Sequence, residues 1–280
     1  MKLMERSRGI DYVFGYYDGM NPNRAAFTVT NRGFLAPKIE TACELGFGQG
    51  VSLAINAATS NQKWVGTDIE PAQVSFARDL VSHFNQDKCR VYGQSFKDFK
   101  ENPDIGQFDF ICLHGIWTWI KDSDRQIICE LIDKKLKPGG LLYISYNALP
   151  AWAGFMPIQK LFNSYCEHNK SMNADSLGNL TESFRFADKL LETQPKILSA
   201  IPSLKTQLEN MKARDAKYLV HEYLAADFTP MTFDAVANWL TPLNMSYISS
   251  SNFLHDLATI NLTKEQQEFL AEIKNDVFRE

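Results

Sequence analysis

The sequence has few cysteines, no long apolar run and no strong excess of charge of either sign. The five cysteines are an odd number without a C-x-x-C pair, which argues against a disulfide framework or a zinc site and favours free thiols in a reducing compartment. No uninterrupted apolar stretch approaches the roughly 20 residues of a membrane span, and the first residues, MKLMERSRGIDY, lack the apolar run of a signal peptide. We therefore expect a cytoplasmic protein with no metal site and no membrane partner.

The charge balance and the length also limit the possible classes of protein. A formal net charge of −4 gives no global basic field, so a nucleic-acid partner is not expected. A chain of 280 residues with 45% hydrophobic and 22% charged residues can bury a sizeable core. This length suits one α/β domain with an appended region, or two small domains.

A glycine-rich segment, KIETACELGFGQG (38–50), is the most informative stretch of the chain. A short strand-like run reaches Glu44, glycines follow at Gly46, Gly48 and Gly50, and a helical apolar pattern begins directly afterwards. The third glycine comes one residue too early for the dinucleotide fingerprint G-x-G-x-x-G, which has its last glycine where this chain has Val51. The spacing predicts a strand, a ligand-binding loop and a helix, or else a glycine-rich turn without a ligand.

A second acid lies where a βαβ unit delivers a carboxylate to the hydroxyls of a ribose. Asp68 ends the strand-like run that begins at Trp64, eighteen residues beyond Gly50. After a third short strand come Ser95 and Phe96, at the place where related nucleoside-cofactor enzymes usually have an acid against the adenine amino group. The Ser95 hydroxyl could accept a hydrogen bond and Phe96 could stack on the ring, although either could equally be a loop or core residue. Together these residues predict a nucleoside-cofactor site, a geometry that serves NAD as well as S-adenosylmethionine.

Strands and helices alternate as far as residue 147, which predicts a doubly wound, mostly parallel sheet. The apolar run 108–113 suits a central strand buried on both faces, and LLYISYN (141–147) suits the fifth strand. From residue 148 to about residue 224 the pattern is mainly helical. Beyond it, we predict one late strand at 245–250 and a helix that starts near Thr263 and runs to the last residue.

These segments resemble the class I S-adenosylmethionine-dependent methyltransferases, and within them the bacterial group that carries a methyltransferase regulatory domain and includes the rickettsial protein lysine methyltransferases. The acid-x-G-x-G-x-G pattern is similar to their motif I. The resemblance continues through VGTDIEPAQV, GQFDFICLHGIWTWI, LKPGGLLYISYNALPAW, YLVHEYLAADFTPMTFDAVANWL and NLTKEQQEFLAEI. Two positions depart from the group: Phe47 replaces a small residue or cysteine, and Ser95 replaces an acid. Members usually continue well beyond this length, so we expect a shortened or naturally short member.

The resemblance implies a Rossmann-like core with an appended, mainly helical region. It implies an N-terminal arm or lid at 1–37, a cofactor-binding core at 38–150, a helical insertion or regulatory region at 151–240, and a late strand with a C-terminal helix completing the core at 241–280. The implied cofactor is S-adenosyl-L-methionine, and the product is S-adenosyl-L-homocysteine. The implied cofactor-binding residues are Glu44, Gly46, Phe47, Gly48, Gly50, Asp68, Ile69, Ser95, Phe96 and His114.

The acceptor side of the site is less defined. Its candidate catalytic and pocket residues are Tyr16, Tyr17, His114, Trp117, Tyr146 and Asn147. A lysine acceptor must lose a proton, to water or through a tyrosine or His114 acting as a base. The expected function is N-methylation of a protein lysine; the alternatives are a small-molecule or glycan O-methyltransferase and a non-catalytic module that binds S-adenosylmethionine or a partner. The expected partner is a protein or small-molecule methyl acceptor, and a homodimer is possible.

Overall fold

The computed structural model describes residues 14–83, 87–169, 175–225 and 227–279. Within these ranges the chain forms two compact units. The sheet unit contains residues 14–117, 121–146 and 231–279, and the helical unit contains residues 118–120 and the described part of 147–230. None of the described helices combines the length and the apolar character needed to cross a bilayer.

The sheet unit is built on a five-stranded sheet in the order β3-β2-β1-β4-β5, with every neighbouring pair parallel. The strands are β1 (Thr41–Leu45), β2 (Lys63–Asp68), β3 (Cys89–Gly93), β4 (Phe108–Leu113) and β5 (Leu136–Ile144). Parallel strands need crossover connections, which the intervening helices supply. The predicted doubly wound sheet with an appended helical region is confirmed.

Short and medium helices connect the strands and make up most of the helical unit. The α-helices are α1 (Pro22–Asn31), α2 (Val51–Thr59), α3 (Pro71–Ser82), α4 (Phe96–Glu101), α5 (Asp122–Lys135), α6 (Met156–His168), α7 (Ser176–Glu192), α8 (Ile197–Ala200), α9 (Leu204–Lys212), α10 (Ala216–Tyr223), α11 (Phe233–Leu240), α12 (Ala258–Asn261), α13 (Lys264–Ala271) and α14 (Asp276–Arg279). Single 3-10 turns lie at Asp18–Met20, Trp117–Trp119, Thr241–Leu243 and Phe253–Asp256.

Each unit has its own apolar core. In the sheet unit Trp64 on β2 packs edge-on against Phe110 on the central strand β4, and residues 110–113 are wholly buried, as their apolar run predicts. In the helical unit Phe162 on α6 is fully buried and packs edge-on against Phe184 on α7. All five cysteines are free thiols, in agreement with the prediction from their number and spacing.

Two predicted elements near the C-terminus are wrong. Residues 245–250 form no strand; the hydroxyls of Ser249 and Ser250 instead bond to Asp256 and His255 of the following turn, so this segment is held by local side-chain contacts rather than by a ladder. The helix that begins after Thr263, whose capping box with Gln266 is present, ends at Ala271. A separate turn, α14, follows and is capped by Asn275.

The N-terminal arm is described only from residue 14. Residues 14–37 contain one 3-10 turn and α1, whose first turn is capped by the Asn21 side chain. The first 13 residues of the predicted arm lie outside the described residues. Its role as a lid stays a prediction.

Candidate functional site

The glycine loop between β1 and α2 has the conformation that its sequence predicts. Gly46, Gly48 and Gly50 all have positive φ angles, of 70°, 57° and 71°. Residues with a Cβ rarely adopt this conformation, which explains why three glycines are used. The Gly46 N–H donates to the carbonyl of Thr67 on β2 at 2.8 Å, and Gly50 forms the N-cap of α2. The loop is therefore fixed to the ends of two neighbouring strands.

The surroundings of the three glycines differ. A Cβ on Gly50 would lie 2.7 Å from the Cβ of Ala77, and one on Gly46 would lie 2.8 Å from Cγ1 of Ile116. At Gly48 the nearest atom to a Cβ would be Oε1 of Gln73, at 3.9 Å. Gly46 and Gly50 thus allow close packing within the protein, whereas Gly48 leaves an open face where a ligand can approach the backbone.

Asp68 and the glycine loop are brought together as predicted. The Asp68 carboxylate accepts hydrogen bonds from the Gly48 N–H to Oδ2 and from the Glu70 N–H to Oδ1, both at 2.9 Å. Burial raises the pKa of Asp68, while these backbone donors act in the opposite direction. The carboxylate oxygens have lone pairs left to accept from further donors, such as ribose hydroxyls.

Glu44 lies deeper than a surface ligand-binding residue would. It sits on β1 between Gly66 of β2 and Cys112 of β4 in the register and is 3% exposed. Its Oε2 has no hydrogen-bond partner among the described residues. Burial, and secondarily the charge of Asp68, raises the pKa of Glu44 to about 8. A buried carboxyl oxygen without a donor is costly, so this position fits a group that can donate to it.

The predicted adenine-side residues occupy three different environments. Ile69 is 51% exposed beside Asp68, and Phe96 is half-buried with its ring near Gly46. The Ser95 hydroxyl caps α4: it accepts from the Asp98 N–H at 3.1 Å and donates to the Asp98 carboxylate at 2.6 Å. Its hydrogen bonds are therefore used within the helix cap. Asp98, which no sequence motif marked as a site residue, lies one turn further along the chain and places an acid beside Ser95.

Phe47 is a core residue. It is 6% exposed, and its ring lies so close to Gly66 that a Cβ there would be 2.9 Å from Cδ1. The side chain therefore packs inward, and the predicted contact of Phe47 with a cofactor stays a prediction. The Phe47 ring thus supports the glycine loop from its core-facing side.

His114, at the end of β4, lies in a small aromatic cluster. The Tyr17 ring stacks on the His114 ring with centroids 4.0 Å apart, and Nδ1 shares a 2.9 Å hydrogen bond with the hydroxyl of Tyr143. Burial lowers the pKa of His114 to about 4 and raises that of Tyr143 to about 12, so both side chains are neutral near pH 7. No sequence motif marked Tyr143 as a site residue; the pairing of β4 with β5 places it opposite Cys112, two residues before His114.

Tyr16 and Tyr17 connect the N-terminal segment to α2. The Tyr16 hydroxyl donates to Oδ1 of Asn56 at 3.3 Å and accepts from the Asn21 side chain at 3.1 Å. The Tyr17 backbone N–H donates to the hydroxyl of Ser52 at 2.9 Å. Of the two rings, Tyr17 is beside His114, as the predicted acceptor set requires, while Tyr16 is 41% exposed and held by asparagines.

The remaining predicted acceptor residues lie in three different environments. Trp117 is fully buried and packs edge-on against Trp239, so it belongs to the core and not to an accessible wall. Tyr146 is half-buried at the end of the sheet unit. Asn147 belongs to the helical unit, where its side chain donates to Glu222 at 3.5 Å. Within the described residues, no cluster of three metal-ligating side chains is found.

Comparison with known proteins agrees with this geometry. Residues 42–140 match the family described as a methyltransferase domain, and residues 215–280 match the predicted methyltransferase regulatory domain. The chain is 31% identical to the protein sll1526 of Synechocystis over 97% of its own length and 54% of that protein. It is 28% identical to RP028 of Rickettsia prowazekii, over 69% of this chain and 76% of that one. It thus spans about half the length of the first of these relatives.

A solved structure shows the same fold. The structure of PKMT2 from Rickettsia typhi in complex with AdoHcy superposes with a TM-score of 0.77 at 21% identity, covering 96% of this chain and 51% of that one. The resemblance seen in the sequence is confirmed by both domain matches and by this fold. The chain therefore carries a methyltransferase domain with the class I, Rossmann-like fold, joined to a methyltransferase regulatory domain.

Proposed function

We propose that this chain is an S-adenosylmethionine-dependent methyltransferase that N-methylates lysine side chains of a protein. The main support for binding of the cofactor is the hydrogen bond between Asp68 and Gly48, which places a buried carboxylate beside the open face of the three-glycine loop. The methyltransferase domain match over 42–140 and the AdoHcy complex of the structural neighbour support it. The resemblance to rickettsial protein lysine methyltransferases supports the acceptor.

The residues present fit the cofactor. Gly48 leaves room for a ligand against the backbone, Asp68 has acceptor capacity for ribose hydroxyls, and Oε2 of Glu44 can accept from an amino group. Ile69 and Phe96 offer apolar surface for adenine. When bound, S-adenosylmethionine supplies a methyl group on a sulfonium sulfur.

The chain's own contribution is mainly alignment. Holding reacting groups in line can lower a barrier by about 7–11 kcal/mol without covalent help from the protein. With a pKa near 4, His114 is a weak proton acceptor, so its stacked and hydrogen-bonded ring positions Tyr17 and Tyr143 rather than removing a proton. A lysine acceptor then loses its proton to water.

The partner and location follow from the same proposal. The methyl acceptor is a protein, with a small molecule as the alternative, and the reaction takes place in the cytoplasm, where five free thiols are stable. The net charge of −4 does not favour a nucleic acid.

Isothermal titration tests the cofactor. We expect binding of S-adenosylmethionine and S-adenosylhomocysteine but not of NAD, and at least about tenfold weaker binding by Asp68→Asn, since a charged hydrogen bond is lost. Asp104→Asn, which neutralises an exposed aspartate of the sheet unit, is the matched control and should bind normally. Unchanged affinity in Asp68→Asn would overturn the ribose assignment.

Transfer of a labelled methyl group to cell lysate tests the acceptor. Label in protein that acid hydrolysis releases as methyl-lysine supports the proposal. Label confined to the small-molecule fraction would favour the small-molecule or glycan O-methyltransferase. Cofactor binding without any transfer would favour a non-catalytic binding module.

A further inference from the structure

The helical unit contains a cluster of half-buried aromatic rings that the proposed function does not use. The Phe228 ring lies 4.6 Å from that of Trp119 and 5.2 Å from that of Trp152, measured between centroids, with interplanar angles of 38° and 63°. All three side chains are partly exposed. The three rings therefore form one continuous aromatic surface, in which the Phe228 ring is tilted relative to both tryptophan rings.

A buried carboxylate belongs to the same region. Glu222 is 7% exposed and directly precedes Tyr223, whose ring is 5.9 Å from that of Trp152. Its hydrogen bond comes from the Asn147 amide at 3.5 Å, the long limit for such a bond. No lysine, arginine or histidine nitrogen within the described ranges forms an ion pair with it. The carboxylate is thus buried without a cation in direct contact, although the charge of Arg214 acts on it.

Hydrogen bonds of Thr118 link the residue that holds the carboxylate to the segments that contain two of the rings. The Thr118 hydroxyl accepts from the Asn147 N–H at 2.8 Å, and the Thr118 carbonyl accepts from the Thr229 N–H at 2.9 Å. Thr118 directly precedes Trp119, and Thr229 directly follows Phe228. Thr118 therefore contacts both Asn147, which holds Glu222, and the segment that contains Phe228. Glu222, held by Asn147, and the segments that contain Trp119 and Phe228 are thus linked through one residue.

We propose that this cluster of Trp119, Trp152, Phe228 and Glu222 is a binding site for an alkylammonium group, such as a lysine side chain or its methylated forms. Aromatic faces attract a cation through their quadrupole, and several rings with a carboxylate form the type of cage that binds methylated ammonium groups. The inference deepens the proposed function and rests on it for the choice of ligand, since lysine is the proposed methyl acceptor. It assigns that ligand to residues outside the cofactor site, and binding can be measured separately from methyl transfer.

The ionisation of Glu222 gives the site a pH dependence. Burial raises the pKa of Glu222 to about 7, while Asn147 and the positive charge of Arg214 act to lower it. Tyr223, whose own pKa is raised, and His221 are its neighbours on α10, and Arg214 lies over the Tyr218 ring. Because only the ionised carboxylate attracts a cation, affinity should rise between pH 6 and pH 8.

Calorimetric titration of the whole chain without S-adenosylmethionine tests the proposal. The probes are a peptide containing lysine, the same peptide with trimethyl-lysine, the same peptide with norleucine as the neutral analogue, and choline as a free quaternary amine. We expect both cationic peptides to bind at least tenfold more tightly than the norleucine peptide. Choline binding as tightly as the trimethyl-lysine peptide would identify a free amine as the ligand, and weaker choline binding a peptide side chain.

Variants locate the site. Glu222→Gln and Trp152→Leu should each weaken binding at least tenfold at pH 8, and Trp152→Phe should retain most of it. Glu192→Gln, which removes an exposed acid from the end of α7, is the matched control and should bind normally. Circular dichroism melting checks that each variant is folded. Equal affinity for cationic and norleucine peptides, or unchanged binding by a folded Glu222→Gln, would overturn the proposal while leaving methyl transfer untouched.

Discussion

Substitution of individual glycines by alanine separates backbone strain, packing and ligand contact in the glycine loop. Gly33, Gly48 and Gly50 share positive φ angles, of 82°, 57° and 71°. A Cβ added at Gly33 would have no atom within 4 Å, and one at Gly48 would lie on an open face. A Cβ added at Gly50 would lie 2.7 Å from the Cβ of Ala77. The three variants therefore pay the same conformational cost and differ only in what surrounds the methyl group.

The expected costs follow from these surroundings. Alanine in the left-handed region costs about 1–2 kcal/mol, which should be the full effect of Gly33→Ala and of Gly48→Ala on the free energy of unfolding. Two carbons pack at about 3.5–4.0 Å, so Gly50→Ala must displace α3 and should cost about 1–3 kcal/mol more. Urea denaturation of the three variants measures this order.

Ligand binding should follow a different order. In Gly48→Ala the methyl group occupies the face where the cofactor would meet the backbone, so we expect its affinity for S-adenosylhomocysteine to fall at least about tenfold, or about 1.4 kcal/mol. Gly33→Ala has the same strain away from the site and should bind normally. Isothermal titration of both variants measures the contrast. If Gly48→Ala binds as tightly as Gly33→Ala at equal stability, the loop does not hold the cofactor through its backbone.

Three further predictions concern stability. The pKa of Glu44 is about 8 in the folded state and 4.5 in a model compound, so the folded protein holds more protons between these values and its stability should fall as pH rises through this window. At about 1.4 kcal/mol per pH unit, the loss of stability is at most about 5 kcal/mol. Glu44→Gln should abolish this pH dependence, which urea denaturation at pH 5 to pH 9 measures. The pKa of Asp109 is lowered to about 2 despite partial burial, because Lys137 at 2.8 Å and backbone N–H groups favour its charged form. The ionised Asp109 carboxylate therefore stabilises the folded state above pH 3.8, and this contribution is lost as the pH falls toward 2. Asp109→Asn should lower the free energy of unfolding by about 2 kcal/mol at pH 7 and show a weaker acid transition. Phe162→Ala should cost the helical unit about 3–5 kcal/mol by opening a cavity, whereas the exposed Phe186→Ala should cost about 1 kcal/mol or less; melting followed by circular dichroism compares them.

Sequence reasoning located the cofactor half of the site because its signals are local. Three glycines at alternate positions specify positive φ angles, and an acid at the end of the next strand must lie at the same edge of a parallel sheet. The fifth strand was placed less well: it begins at Leu136 and not at Leu141, because Pro138, Gly139 and Gly140 are accommodated in a register shift against β4. The predicted domain boundaries and most of the acceptor residues stay predictions.

Local sequence patterns specify the alternating fold, the glycine loop and the carboxylate of Asp68, since each depends on backbone propensity or on neighbours within one strand, loop and helix. The packing of the folded chain sets which side chains are buried and which distant groups they contact. It placed Trp117 in the core, set Tyr143 against His114 and gave Glu222 a partner in Asn147, 75 residues away along the chain. Such pairings depend on how separate elements pack, and no local pattern of residues encodes them.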